Sequence, residues 1–317
     1  MEKIPDEKLE MFRDLFKRVV DNVSRIVVGK RKEIELILAS ILADGHILIE
    51  GVPGVAKTLI ARSIAYSLDL DFKRVQATPD LLPSDFIGTN IFDPVGKEFK
   101  FVKGPIFTNI LFVDEINRAP PKTQSALLEA MQERQVTVEG KTYRLSKPFI
   151  VIATMNPVEI EGTFPLPEAQ VDRFLSKITI GYPDIFETVE ILKRIDSIMD
   201  LKLETVASSK SILDAMELVK RVRVEENILK YIAMIVQAIR NSQYVKLGPS
   251  PRGAIAMYYL ARSIALINGR DYVIPDDIKY VAHSALIHRV FLKGEARLTG
   301  VTVDRVVSDV LNSVEVP

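Results

Sequence analysis

Residues 51–58 read Gly51-Val52-Pro53-Gly54-Val55-Ala56-Lys57-Thr58, between the apolar run Ile47-Leu-Ile-Glu50 and the segment Leu59-Ile-Ala-Arg-Ser-Ile-Ala-Tyr66. This is nearly the phosphate-loop pattern G-x-x-x-x-G-K-[ST], with Ala56 where the second fixed glycine belongs. A strand that ends in glycines and turns into a helix aims several backbone N–H groups at one concavity, which favours an anion. In such a loop Lys57 reaches the β- and γ-phosphates, and the Thr58 hydroxyl ligates Mg²⁺. Alanine at 56 costs little if that residue has helical dihedrals, because a Cβ clashes only where φ must be positive. The plain alternative is a capped turn between a strand and a helix.

The rest of the 317-residue chain bounds the choice. Its length suits about two domains. With 47% hydrophobic and 26% charged residues it has the composition of an ordinary globular protein. The 42 basic and 42 acidic side chains cancel, so no bulk charge draws it to nucleic acid or an acidic membrane. The absence of cysteine excludes disulfides, thiolate metal sites and cysteine nucleophiles. His46, His283 and His288 lack the spacing of a helical zinc pair and read as structural. Met1-Glu-Lys-Ile-Pro-Asp-Glu is charged, and no apolar run approaches 18 residues, so a cytoplasmic protein without a membrane span is expected.

Apolar residues at helical spacing mark helices over 6–24 and 30–43. Short apolar-rich strands follow at 47–49, 72–75, 110–113, 149–153 and 177–180, continuously apolar at 47–49, 110–113 and 149–153 and separated mostly by helical patterns. Strands buried on both faces belong to a parallel sheet. Residues 1–182 therefore read as a doubly wound α/β core. Residues 90–103 and 135–146 interrupt it as inserted β-hairpins, the second turning at Glu139-Gly140. From about 184 strand signals vanish, and residues 183–317 read as a small all-α domain.

Further chemistry lies at the strand ends. Ile110-Leu-Phe-Val113 runs into Asp114-Glu115, and the C-terminal ends of parallel strands are where α/β sheets bind ligands. There Asp114 can help hold Mg²⁺ through its water shell, and Glu115 can polarise an attacking water. Phe149-Ile-Val-Ile-Ala153 leads to Thr154-Met-Asn156-Pro157, where Asn156 can orient that water or contact the γ-phosphate. An Asn-Pro after a strand is otherwise a turn. Asp172-Arg173-Phe174 precedes the last strand, with a surface salt bridge as its bland reading. Ser250-Pro251-Arg252 opens a helix, and an arginine at the positive end of a helix dipole needs an anion nearby.

This order of parts resembles the MoxR family of AAA+ ATPases. Four stretches carry the match: GVPGVAKT, FVDEINRAPPKTQSALLEAMQERQVTVEG (112–140), ATMNP (153–157) and EAQVDRF (168–174). The family carries alanine before the loop lysine, so Ala56 is its normal residue there. The hairpins resemble its helix-2 and pre-sensor-1 inserts. The resemblance implies that residues 51–59, Gly51 through Leu59, form the Walker A segment and that Asp114 and Glu115 form Walker B. It makes Asn156 sensor 1, Arg252 sensor 2 and Arg173 an arginine finger for the neighbouring subunit. Val27 and Val28 lie where the family packs adenine. It further implies a ring, commonly a hexamer, acting on protein clients beside a von Willebrand factor A-domain partner.

The expectation is a Mg²⁺-dependent ATPase motor with ATP between the core and the helical lid, whose motion reaches a client through the hairpins. GTP is disfavoured because no [NT]-K-x-D segment is present. Two rivals remain, a nucleic-acid remodelling motor and an ATP-sensing adaptor with little turnover. The hairpin tip Val138-Glu139-Gly140-Lys141 offers one acid and one base, a poor grip on phosphates. The intact Glu115 and Arg173 argue against the adaptor.

Overall fold

The structure is a computed structural model that describes residues 3–157, 162–200 and 203–317. Two N-terminal helices, α1 (Asp6–Ser24) and α2 (Arg31–Leu42), lead into β1 (Ile47–Glu50), the loop 51–56 and α3 (Lys57–Ser67). Then come β2 (Phe72–Gln76), the short α4 (Pro83–Ile87) and the first hairpin, β3 (Gly88–Asp93) with β4 (Glu98–Lys103). Next are β5 (Ile110–Asp114), α5 (Pro121–Glu133), the second hairpin of β6 (Gln135–Val138) and β7 (Lys141–Arg144), and β8 (Ile150–Met155). A single turn, α6 (Glu168–Val171), precedes β9 (Ser176–Thr179). These elements fall where hydrophobic periodicity places them.

Five strands form one parallel sheet in the order β2-β5-β8-β1-β9. Side chains alternate across it although both faces are buried. Ile47, Ile49, Ile110, Phe112, Ile150 and Ile152 face α1–α3. Leu48, Leu111, Val113, Val151 and Ala153 face α4 and α5. Because every strand runs the same way, Glu50, Asp114 and Met155 gather at one edge, and the segments that open β1 and β9 gather at the other.

Helices α7 (Ile185–Asp200), α8 (Ser209–Val219) and α9 (Glu226–Arg240) follow. After β10 (Val245–Leu247) come α10 (Pro251–Ile267), α11 (Pro275–Leu286), β11 (Phe291–Leu292), α12 (Gly294–Leu298) and α13 (Val303–Ser313). The C-terminal region is thus not purely helical: β10 and β11 pair antiparallel. A ladder of three residues against two is too short to show a strand period in sequence. The α10 helix packs on both α1 and α2. One apolar cluster runs from the sheet face through α1 and α2 into α8–α11 and α13, so the helical region is joined to the sheet by shared core. Among the described residues no helix is long and apolar enough to cross a membrane.

Candidate nucleotide-binding site

The loop after β1 is shaped by its close approaches. A Cβ on Gly51 would stand 2.6 Å from the Ile180 carbonyl oxygen at the end of β9, so only glycine fits. Gly54 takes φ 84°, open to glycine alone without strain. Gly51 N–H donates to the Met155 carbonyl at 3.2 Å, tying the loop to the end of β8. Ala56 is the N-cap of α3 and is left-handed, at φ 63° and ψ 21°. The expectation of helical dihedrals there is therefore wrong. The loop needs the conformation that glycine supplies in the general motif, and Ala56 adopts it at a cost of about 1–2 kcal/mol. Lys57 opens the helix, and its Nζ donates to the Gly51 and Val52 carbonyls. Thr58 follows in the first turn.

Two strands away, Asp114 and Glu115 end β5. Parallel register sets Val113 beside Ala153 and Glu50 beside Met155, so the acidic pair stands roughly 10 Å across the sheet from the loop. Thr154 joins the pair: its hydroxyl donates to Asp114 Oδ1 at 2.7 Å and accepts from the Glu115 N–H at 2.8 Å. Arg74 of β2 donates to Asp114 Oδ2 at 2.7 Å. Glu115, itself left-handed at φ 55°, accepts at Oε2 from Gln76 Nε2 at 2.9 Å and from Arg118 at 3.1 Å. Its Oε1 has no hydrogen-bond partner among the described residues. Asn156 follows β8 on the same edge and is 4% exposed.

The donor set suits a hydrated magnesium ion carried with phosphates. Among the described residues no three His, Asp or Glu side chains cluster to cage a metal, and Mg²⁺ is commonly held by one or two side chains plus phosphate oxygens and water. Both Asp114 oxygens already accept hydrogen bonds, which favours contact through the ion's water shell.

The other predicted residues lie elsewhere. Val27 is 3% exposed in the main apolar cluster, and Val28 beside it is half-buried. The segment from Ile180 to Glu187 connects this region to the loop, since Ile180 abuts Gly51 and Glu187 abuts Gly29. Arg173 and Arg252 stand at the opposite edge of the sheet, sharing a surface cavity with Gly45, His46 and Leu175, which precede β1 and β9. Four residues of β1 alone separate the edges by about 13 Å. Arg252 therefore stands away from the loop of its own chain. The anion near Arg252 is Asp172, at 3.8 Å. Arg173 is exposed and its side chain has no ion-pair or hydrogen-bond partner among the described residues.

The description ATPase family associated with various cellular activities (AAA) matches residues 46–176, and AAA lid domain matches 237–310. Chaperone MoxR1 of Mycobacterium tuberculosis is 42% identical over 95% of this chain and 82% of its own. The uncharacterised YeaC of Bacillus subtilis is 47% identical over 97% of each chain. The chain belongs to the MoxR family of AAA+ ATPases. A crystal structure from Cytophaga hutchinsonii with 43% identity superposes at TM-score 0.91 over 98% of this chain and 97% of its own.

Set in this MoxR-family frame, sequence reasoning missed Arg74, Gln76, Arg118 and Thr154, which hold the acidic pair. Thr154 lay within the quoted ATMNP stretch and Arg118 within the quoted 112–140 stretch, three residues after Glu115; Arg74 and Gln76 had no signal, because strand register alone brings them to Asp114 and Glu115. It also missed Arg289, 4% exposed. The Arg289 guanidinium donates to Asp172 Oδ1 at 2.7 Å and to the carbonyls of Asp172, Phe174, Leu175 and Ala285. Burial pulls its pKa down, and Asp172 opposes that. His46 and His288 are structural. His46 Nδ1 accepts from the Val151 N–H and its Nε2 pairs with the Met131 carbonyl. Burial lowers its pKa to about 3.

Proposed function

We propose that this protein hydrolyses ATP with Mg²⁺ as a subunit of a homo-oligomeric ring, a hexamer by family resemblance, and uses the motion to remodel or mature protein clients beside a von Willebrand factor A-domain partner. The observation that carries the reading is the Asp114–Thr154–Glu115 arrangement on the strand edge that also holds the loop and Asn156. Phosphoryl transfer asks mainly for positioning and charge neutralisation. The loop amides and Lys57 cradle the phosphates. Asp114, with Thr58, would hold the hydrated Mg²⁺, which neutralises phosphate charge. Glu115 Oε1 accepts a proton from the attacking water, while Gln76 and Arg118 fix Oε2. Asn156 orients that water without adding charge.

Arg173 and Arg252 stand at the far edge, so each serves a nucleotide only on an adjacent copy. That geometry supports a head-to-tail ring in which one copy's loop edge meets the next copy's arginine edge. The hairpins support a protein client. They lean together through the Phe101 and Tyr143 rings, stacked at 4.4 Å, and through Asn90 Nδ2 donating to Glu139 at 2.5 Å. Phe92, Val95 and Phe99 are exposed on the first hairpin, an apolar surface suited to a protein, beside the exposed Lys97, Lys100 and Lys103, of which Lys100 pairs with Asp93 at 2.5 Å.

Steady-state hydrolysis by wild type and Glu115→Gln, with and without DNA, tests the proposal. Glu115→Gln should bind ATP and lose about 10²–10⁴ in turnover, the usual effect of removing a general base. Wild-type turnover in that variant shows Glu115 to be structural. ATP binding by wild type without hydrolysis favours the adaptor. Strong stimulation by DNA at physiological salt favours the remodeller.

A further inference from the structure

Helix α7 turns its apolar side to solvent. Ile185 is 80% exposed, Phe186 83% and Leu192 68%, with Val189 and Ile195 exposed as well. At 100° per residue Ile185, Val189 and Leu192 share one stripe, with Phe186 and Ile195 on its two flanks. On the side that meets the rest of the chain, Glu187 pairs with Lys30 at 3.1 Å, both side chains largely buried, next to half-buried Ile191. A surface helix normally does the reverse, and a helix of 16 residues draws little stability from propensity alone.

We infer that α7 docks into a groove on the next copy of this chain, beside the two arginines that copy contributes. The inference rests on the ring reading. Position supports the choice of occupant. The α7 helix starts beside the nucleotide loop, through Ile180 against Gly51 and Glu187 against Gly29. A neighbour that brings Arg173 and Arg252 to those phosphates brings the surface around its α10 to the same place. That surface is complementary in kind. Along α10, Ile255 and Tyr259 follow Arg252 on one face, 50% and 38% exposed. Tyr259 walls two adjoining cavities of ≈ 320 and ≈ 530 Å³, the larger reaching Leu213 and Met216 of α8. The span from Arg252 to Tyr259 and the span from Ile185 to Leu192 are each about 10 Å of helix. The two surfaces are different parts of one chain, so their contact is heterologous and propagates head to tail, as ring closure requires.

The chain has no cysteine, which makes the test clean. Chains carrying Phe186→Cys and chains carrying Tyr259→Cys are mixed with ATP and treated with a short bismaleimide. Adducts between unlike chains are expected, and few between like chains. In parallel, the double variant Phe186→Glu/Leu192→Glu should lose assembly by light scattering while its monomer still binds ATP. Like-chain adducts alone, no adduct, or undiminished assembly of the double variant overturns the docking and leaves the stripe to a partner protein or a lipid surface. The control is the mixture of Arg173→Ala with Glu115→Gln protein. If that mixture regains hydrolysis while the docking tests fail, the ring stands and only the docking is lost. If the control fails although the two chains co-assemble, the trans-arginine reading is overturned, and the docking inference falls with it.

Discussion

Ala56 holds a left-handed backbone, φ 63°, at the point where the phosphate loop becomes α3. Sequence shows that alanine is present there, and a residue type alone does not reveal φ, so the assumption of helical dihedrals had nothing to correct it. Two opposing terms set the effect of Ala56→Gly. Glycine relieves about 1–2 kcal/mol of steric cost, and it frees the unfolded chain by roughly 0.4–1 kcal/mol. The expected result is equal or slightly greater stability in denaturant melts with ATP affinity kept. Ala56→Val, β-branched at positive φ, should destabilise by about 1–3 kcal/mol. Valine melting like alanine would show that the loop is not held left-handed. Lys57, Thr58, Asp114 and Glu115 were legible because the chemistry demands those types at that spacing. Arg74 and Gln76 were not, because pairings such as Gln76 with Asp114 exist only once β2 lies beside β5.

The segment that carries Arg173 is set by other elements. Arg289, just past α11, grips Asp172, Phe174 and Leu175 around it, and His288 adds a 3.1 Å contact to the Phe174 carbonyl. Ser250 at the start of α10 donates to Asp172 at 3.0 Å. The Arg173 segment and the lid are thus held together, which no local pattern announces because the partners are 78 and 117 residues apart. Arg289→Lys keeps the charge and loses the fork of donors. It should leave ATP affinity within about twofold and lower turnover by up to about 10²-fold, the scale for a misplaced catalytic group. Unchanged turnover in a folded Arg289→Lys protein would remove Arg289 from the positioning of Arg173. His46 ties β1, α5 and β8 together in the same manner. Its folded pKa, about 3, lies below the 6.5 of a free imidazole, so folding favours the neutral ring. Its stabilisation is full above pH 6.5 and is lost as pH falls from there towards 3. Between pH 7 and pH 5 this amounts to about 2 kcal/mol. Buried His288 is shifted the same way by burial. Urea melts should show stability falling across that window, and His46→Gln should flatten the slope.

At the scale of the whole molecule, the sheet has two chemically different edges and a body that joins them. The shared apolar cluster and the Asp172–Arg289 grip join the sheet to α10. The parts were legible in sequence, but their distribution between edges was not. Motif order along a chain says nothing about which end of a strand a lid helix reaches, and so ATP was expected between the core and the lid. The edges give a decisive experiment. Glu115→Gln damages the loop edge, and Arg173→Ala damages the arginine edge, where such fingers contribute about 10³–10⁵ in rate. Each protein alone should be nearly inactive. In a random equal mixture, about a quarter of interfaces join an intact Glu115 to an intact Arg173 of the next copy, so up to about a quarter of wild-type turnover should return. Arg252→Ala then sorts itself. If Arg252 acts on the neighbour, as its edge dictates, its variant regains activity with Glu115→Gln and none with Arg173→Ala, because the last two are damaged on the same edge. Recovery in the Arg252→Ala and Arg173→Ala mixture would mean that Arg252 serves its own chain's nucleotide, and that the lid must swing across the length of the sheet during the cycle.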